Sequence, residues 1–234
     1  MIVAIHQPNY APWLGYFRKI SRAEAFVFLD DVSFSKGSVT NRVKILDADK
    51  EAWLTVPAKP ALGTAISDIV INDTDWPARH LSRLRNAYRG AAAFETVWED
   101  LEPLYESLPA ENLSLSNRIL VEALCGLVGV ETRFHLSSEM GIPTDLPADE
   151  RLIEIIRQVS GTVYLSGSGG RKYQDESKFE AAGISVSYND YVPTPYPQRR
   201  GDGDFVPGLS MLDAAFNLGW EAVGALLRNS ENAD

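Results

Sequence analysis

Short β-branched or aromatic runs alternate along this chain with longer stretches whose apolar residues recur at helical spacing. The run Val3-Ala4-Ile5 ends in His6-Gln7 and breaks on Pro8 and Pro12. Proline has no amide donor for a ladder, so the strand stops there and His6 and Gln7 lie at its carboxyl end. Residues 14–22 are predicted as a short helix and Ala25-Phe26-Val27-Phe28-Leu29 as a second buried strand ending in Asp30-Asp31. Residues 53–57 and 66–71 read as extended, the latter from its period-2 alternation. Asp75 is placed as the N-cap of a helix with Pro77 in its first turn, followed by helices over 94–108 and 113–128. Residues 133–136 are extended, 149–159 helical, 162–165 a strand, 176–182 helical and 184–188 a last strand. Such alternation predicts an α/β fold, a mostly parallel sheet flanked by helices with a helical segment in the middle of the chain. We expect one α/β domain over 1–234, with room for a helical insert at about 75–130.

With 234 residues, 45% of them hydrophobic, the chain can bury a substantial core. It has no apolar run of membrane-spanning length and no signal-peptide pattern, so a soluble, cytoplasmic protein is expected. Its single cysteine, Cys125, sits in an amphipathic helix and reads as a small buried hydrophobe. A net charge of −10 argues against a dedicated nucleic-acid binder. It leaves open a small anionic ligand held by a local cluster of cations.

Candidate chemistry concentrates at strand ends, where open α/β sheets bind ligands. His6 is the first candidate, as a proton acceptor or as a packed histidine that only bonds a loop. Gln7, Asn9, Tyr10 and Trp13 accompany it on the proline-bounded segment. Asp30 and Asp31 can serve a metal, a sugar hydroxyl or general-base catalysis, or simply cap a turn. Lys36, Asn41, Arg42 and Lys44 are read as a polar loop able to meet phosphate. Ser166-Gly167-Ser168-Gly169-Gly170 follows a strand, with Arg171 and Lys172 as countercharges; a tight turn explains it as well as an anion cradle. It matches neither a Walker motif nor a dinucleotide fingerprint. Ser210 is placed as an N-cap with Asp213 as its capping-box partner, and Asn217 shares a helix face with Asp213.

Taken in order, His6-Gln7-Pro8-Asn9-Tyr10, Pro12-Trp13-Leu14-Gly15-Tyr16, Phe28-Leu29-Asp30-Asp31, Asn41-Arg42, His80, Tyr164-Leu165-Ser166-Gly167, Tyr196-Pro197-Gln198 and Ser210-Met211-Leu212-Asp213 with Phe216-Asn217 cover nearly the whole chain. This series resembles the WbqC-like family of bacterial proteins. Ser33 departs from it, standing where glutamine is expected. The resemblance implies a setting in surface-polysaccharide or modified-sugar biosynthesis and a role in attaching an acyl or aminoacyl group to a sugar amine. A remoter similarity, from the first strand through Gly15-Tyr16, is to the HIGH-motif nucleotidyltransferases, Rossmann-like folds in which a histidine and a helix-opening glycine meet ATP phosphates. One of that motif's histidines is replaced here by Tyr16.

The leading expectation is thus a transferase acting on the amine of a nucleotide-linked sugar. His6 is its base, Asp30 or Asp31 orients it or holds the sugar, and Asn9, Asn41 and the Gly167–Gly170 amides polarise the carbonyl. Arg42 and Lys172 face the diphosphate, and His80, Ser166, Gly169, Tyr196, Gln198 and Asn217 complete the candidate binding set. The alternatives are an ATP-dependent nucleotidyltransferase or ligase and a non-catalytic binding protein of polysaccharide assembly. No metal site is expected, the cofactor is not identified by the residues, and the donor's carrier (an acyl carrier protein, a coenzyme or ATP) stays open.

Overall fold

A computed structural model describes residues 1–198 and 204–229. Five parallel strands form its central sheet: β1 (Ile2–His6), β2 (Ala25–Phe28), β5 (Arg133–Leu136), β6 (Val163–Gly167) and β7 (Ser185–Asn189), in the order β5-β2-β1-β6-β7. The chain winds outward from β1 in one direction, then returns to β1's other side and winds outward again. The fold is therefore α/β and Rossmann-like, with its topological switch between β1 and β6.

The buried strands alternate between two packed faces. Val3, Ile5, Ala25 and Val27 meet Ile153, Ile156 and Phe179 of α5 (Ala148–Gln158) and α6 (Glu176–Ala181). Ala4, Phe26, Phe28 and Leu165 face the larger layer of α1 (Leu14–Ser21), α2 (Trp76–Tyr88), α3 (Phe94–Glu106), α4 (Leu113–Leu127), α7 (Met211–Leu218) and α8 (Trp220–Asn229). α2, α3 and α4 are the helical segment expected in the middle of the chain.

Two expectations are corrected. Arg42 and Lys44 are not on a loop: they lie on β3 (Arg42–Asp47), paired antiparallel with β4 (Lys50–Thr55). The hairpin turn uses Ala48 and Asp49 at φ 48° and 62°, the backbone that Asn-Gly usually signals, so its sequence gave no warning. The alternating segment at 66–71 is not a strand. Ile66–Asp68 is a 3₁₀ turn, and Val70 makes one isolated bridge with Asn112. Its alternation arises because Ile66, Ile69 and Ile71 are buried in the core beside a turn. α8 follows α7 after Gly219, whose φ is 85°. No helix among the described residues is long and apolar enough to cross a membrane.

Candidate functional site

The strands part at the switch point. β1 stays paired with β2 through His6↔Phe28, and β6 with β7 through Gly167↔Asn189, but β1 and β6 pair only as far as Ala4↔Leu165. The His6 carbonyl accepts from the amide of Leu29, the residue after β2. Successive carbonyls point to opposite sides of a strand, so the Ile5 carbonyl is aimed toward β6, where the ladder has ended. Lys19 of α1 takes it: Nζ donates to Ile5 O at 2.8 Å, with the lysine only 3% exposed.

His6 stands at the lip of this opening. Its Nδ1 lies 3.1 Å from Gln7 O. A carbonyl only accepts, so Nδ1 carries the proton and Nε2 keeps the lone pair. Tyr16 meets the ring edge-on at 5.0 Å and donates its hydroxyl to the same Gln7 carbonyl at 2.9 Å. Burial, reinforced by the Lys19 charge, lowers the His6 pKa to about 4, and burial lowers that of Lys19 to about 7. At neutral pH the imidazole is neutral and can accept a proton.

A cavity of about 360 Å³ opens beside His6 and Gln7, lined also by Arg151, Tyr164, Tyr173 and Gln174. Arg151, 6% exposed, comes from α5; its Nη2 lies 2.5 Å from Asp31 Oδ2, while its buried Nε has no hydrogen-bond partner. Ser137 Oγ also donates to Asp31. Asp30 is buried differently: its carboxylate accepts from Ser138 N and Ser138 Oγ at 3.0 and 2.9 Å, with Ser137 Oγ, whose one proton goes to Asp31, 3.2 Å away. It ties β2 to the turn after β5. No group of three or more His, Cys, Asp or Glu side chains that could hold a metal ion occurs among the described residues.

A model of the WbqC-like protein family matches residues 7–225. The chain belongs to that family. A relative of Mycobacterium tuberculosis, the uncharacterized protein Rv1507c, is 36% identical over 223 residues, which is 94% of this chain and 95% of the relative. No solved structure matches.

The family's signature residues fall into two groups. His6, Gln7, Ser166 and Gly167 gather at the parted strand ends. Ser166 is buried and donates to Gln174 Oε1 at 2.9 Å, and Gly167 closes β6. Gly169 has open space around it, and Lys172 is exposed in the following 3₁₀ turn. Arg171, by contrast, is held by Asp190 at 2.6 and 2.5 Å.

The second group is woven into the helical layer. Tyr10, 1% exposed, bonds His80 and Tyr105. Asn9 is buried, and Asn41 donates to Val56 O at 2.9 Å. Arg42 bonds Gly37 O and stacks on Trp53, 4.2 Å from its centroid. Trp13 lies over Gly15, where an added Cβ would come within 2.4 Å of the indole, and stands 5.6 Å from Tyr191. Tyr196 and Gln198 donate to Asp213, and Asn217 Nδ2 donates to the Asp213 carbonyl at 2.7 Å. Ser210 caps α7 as expected, accepting from Leu212 N. Asp213 is not its capping-box partner but a fully buried acceptor for Tyr88, Tyr196 and Gln198.

Lys19 and Arg151 were not singled out in the sequence, because long basic residues on helices usually face water. Their spacing was the available signal. Lys19 follows Gly15 by four and Tyr16 by three, and Arg151 precedes Ile155 by four, which puts each on its helix's buried face.

Proposed function

We propose that the protein transfers an acyl or aminoacyl group to the amine of a nucleotide-linked amino sugar, in bacterial surface-polysaccharide biosynthesis. The observation that carries this reading is the neutral His6 imidazole, with Nε2 unprotonated, at the switch-point crevice of a Rossmann-like sheet. Family membership supports the setting. As the amine nitrogen attacks the donor carbonyl, the new C–N bond forms and the nitrogen becomes positive. Nε2 of His6 takes the surplus proton, and the donor's leaving group departs with the electron pair of the broken bond. Burial, helped by the adjacent Lys19 charge, keeps His6 a weak base at rest; an anion that offsets this charge makes it a stronger one. The cavity lined by Arg151, Tyr164 and Gln174 accommodates the reacting groups, and Asp31 positions Arg151.

In this reading Asp31 and Arg151 outrank Asp30, whose carboxylate is already taken up by the amide and hydroxyl of Ser138. The test is a thermal-shift panel of sugar nucleotides with free amines, without added metal, followed by mass spectrometry of mixtures with thioester and aminoacyl donors. Stabilisation by an amino-sugar nucleotide, and a product heavier by the acyl mass, are expected. Stabilisation by Mg-ATP alone would replace this reading with the adenylate-forming one.

A further inference from the structure

Lys19 is a buried cation without a carboxylate. Among the described residues it enters no ion pair, and the one hydrogen bond drawn from its three donors goes to the Ile5 carbonyl. An isolated buried charge is costly, and proteins ordinarily pair it. α1 could satisfy its packing with an apolar residue here, since Leu14, Phe17 and Ile20 around it are all buried. Nor does the Ile5 carbonyl alone account for a full charge: a strand end can bond water. Of the other cations near strand ends and loops, Arg171 is engaged with Asp190, Arg42 with Gly37 O and Trp53, and Lys44 with Glu51, while Lys172 is exposed to solvent. Among the described residues Lys19 is thus the cation buried directly at the gap between β1 and β6, while Arg151 lies on the opposite face of the sheet and is paired with Asp31.

The geometry points to Lys19 as the anchor of a phosphate group that binds in the gap between β1 and β6, next to His6. Several features favour phosphate over a carboxylate. The ammonium retains two donors, and a tetrahedral anion offers several oxygens to them. On the β6 side the gap is bordered by Ser166 and Gly167, with no side chain within 4 Å of where a Cβ on Gly167 would lie, so an anion can approach the backbone closely. The pairing partner is supplied by the ligand, which explains why none is supplied by the fold. A lowered pKa near 7 fits this, because the ammonium becomes fully charged when an anion arrives. The same event weakens the field that depresses His6. Phosphate binding at Lys19 therefore makes His6 a better base, coupling occupancy of the site to proton transfer.

The inference rests on the crevice assigned above to group transfer, but anion binding needs no turnover, so the two fail separately. Inorganic pyrophosphate is the probe, titrated into the full chain by calorimetry and thermal shift at constant ionic strength, with acetate as the carboxylate control. Lys19→Met removes the charge and the hydrogen bond. Lys19→Gln removes the charge while keeping a donor for the Ile5 carbonyl, and so separates a purely structural role from an electrostatic one. Wild type is expected to be stabilised by pyrophosphate and not by acetate. Both variants should lose at least ~10-fold in pyrophosphate affinity, with Lys19→Gln unfolding no earlier than wild type when no anion is present. Retention of wild-type affinity in Lys19→Gln overturns the assignment, as does the absence of any pyrophosphate effect on wild type. Equal stabilisation by acetate overturns the choice of phosphate.

Discussion

Tyr10 donates its hydroxyl to His80 Nδ1 at 2.7 Å. This direction is fixed because His80 Nε2 lies 3.1 Å from the Thr55 carbonyl and must carry the ring proton. Tyr10 in turn accepts from Tyr105 at 2.8 Å. Two residues of the family's signature are thereby consumed in a closed, buried chain of hydrogen bonds. Tyr10→Phe leaves His80 Nδ1 without its donor and Tyr105 without its acceptor, and should destabilise the fold by roughly 1–3 kcal/mol. Chemical denaturation measures it. Ligand binding at the His6 crevice should be unchanged in the same variant.

The two histidines make stability depend on pH in a defined window. His6 and His80 are each lowered to about 4 from 6.5, chiefly by burial. Above pH 6.5 both are neutral whether the chain is folded or not. Between 6.5 and 4 the unfolded chain takes up protons that the folded chain refuses, so stability falls as pH falls. The slope contributed by each histidine approaches ~1.4 kcal/mol per pH unit. Urea midpoints measured between pH 7.5 and 4.5 should fall steadily, and His80→Gln should flatten part of the dependence. A variant with the full wild-type slope would show that His80 contributes nothing to it.

Asp213 joins three parts of the chain. It accepts from Tyr88 of α2 at 3.0 Å and from Tyr196 and Gln198 at 2.7 and 3.0 Å. Tyr88 also accepts from the Leu46 amide of β3. Burial raises the Asp213 pKa despite these donors. Removing the carboxylate strands three donors, the fully buried Tyr88 and the half-buried Tyr196 and Gln198, so Asp213→Ala should cost roughly 2–4 kcal/mol, more than the ~1 kcal/mol typical of a lost helix cap. A thermal melt that places it within the range of Ser210→Ala would refute the difference.

Much of this architecture was legible from the order of apolar segments. The three inner strands β1, β2 and β6 are short buried runs, the edge strands β5 and β7 are short and only partly buried, and β1 and β2 end where Pro8 and Asp30-Asp31 make continuation unfavourable. The β3–β4 hairpin was hidden because Arg42 and Lys44 look like solvated loop residues and Ala48-Asp49 is no usual turn pair. At the site, His6 and Ser166-Gly167 could be placed because strand ends are local features. Lys19 could not be valued in the same way. Its importance comes from the loss of pairing between β1 and β6 beyond Ala4↔Leu165, a contact across more than 160 residues that no local pattern encodes. Likewise Asp30 and Asp31 are neighbours with one composition, yet Ser138 from the turn after β5 and Arg151 from α5 give them separate partners.

The central claim is that His6 accepts the proton in a transfer reaction at the switch point. The most direct measurement is turnover of an amino-sugar nucleotide, once the thermal-shift panel has named it, by wild type and by His6→Ala and His6→Gln. At least a ~10²-fold loss in kcat is expected in both variants, with nucleotide-sugar affinity and unfolding at pH 7.5 close to wild type. A loss of only a few-fold in a stably folded His6→Gln, with substrate still bound, would contradict the claim and leave His6 a structural residue of the β1 turn.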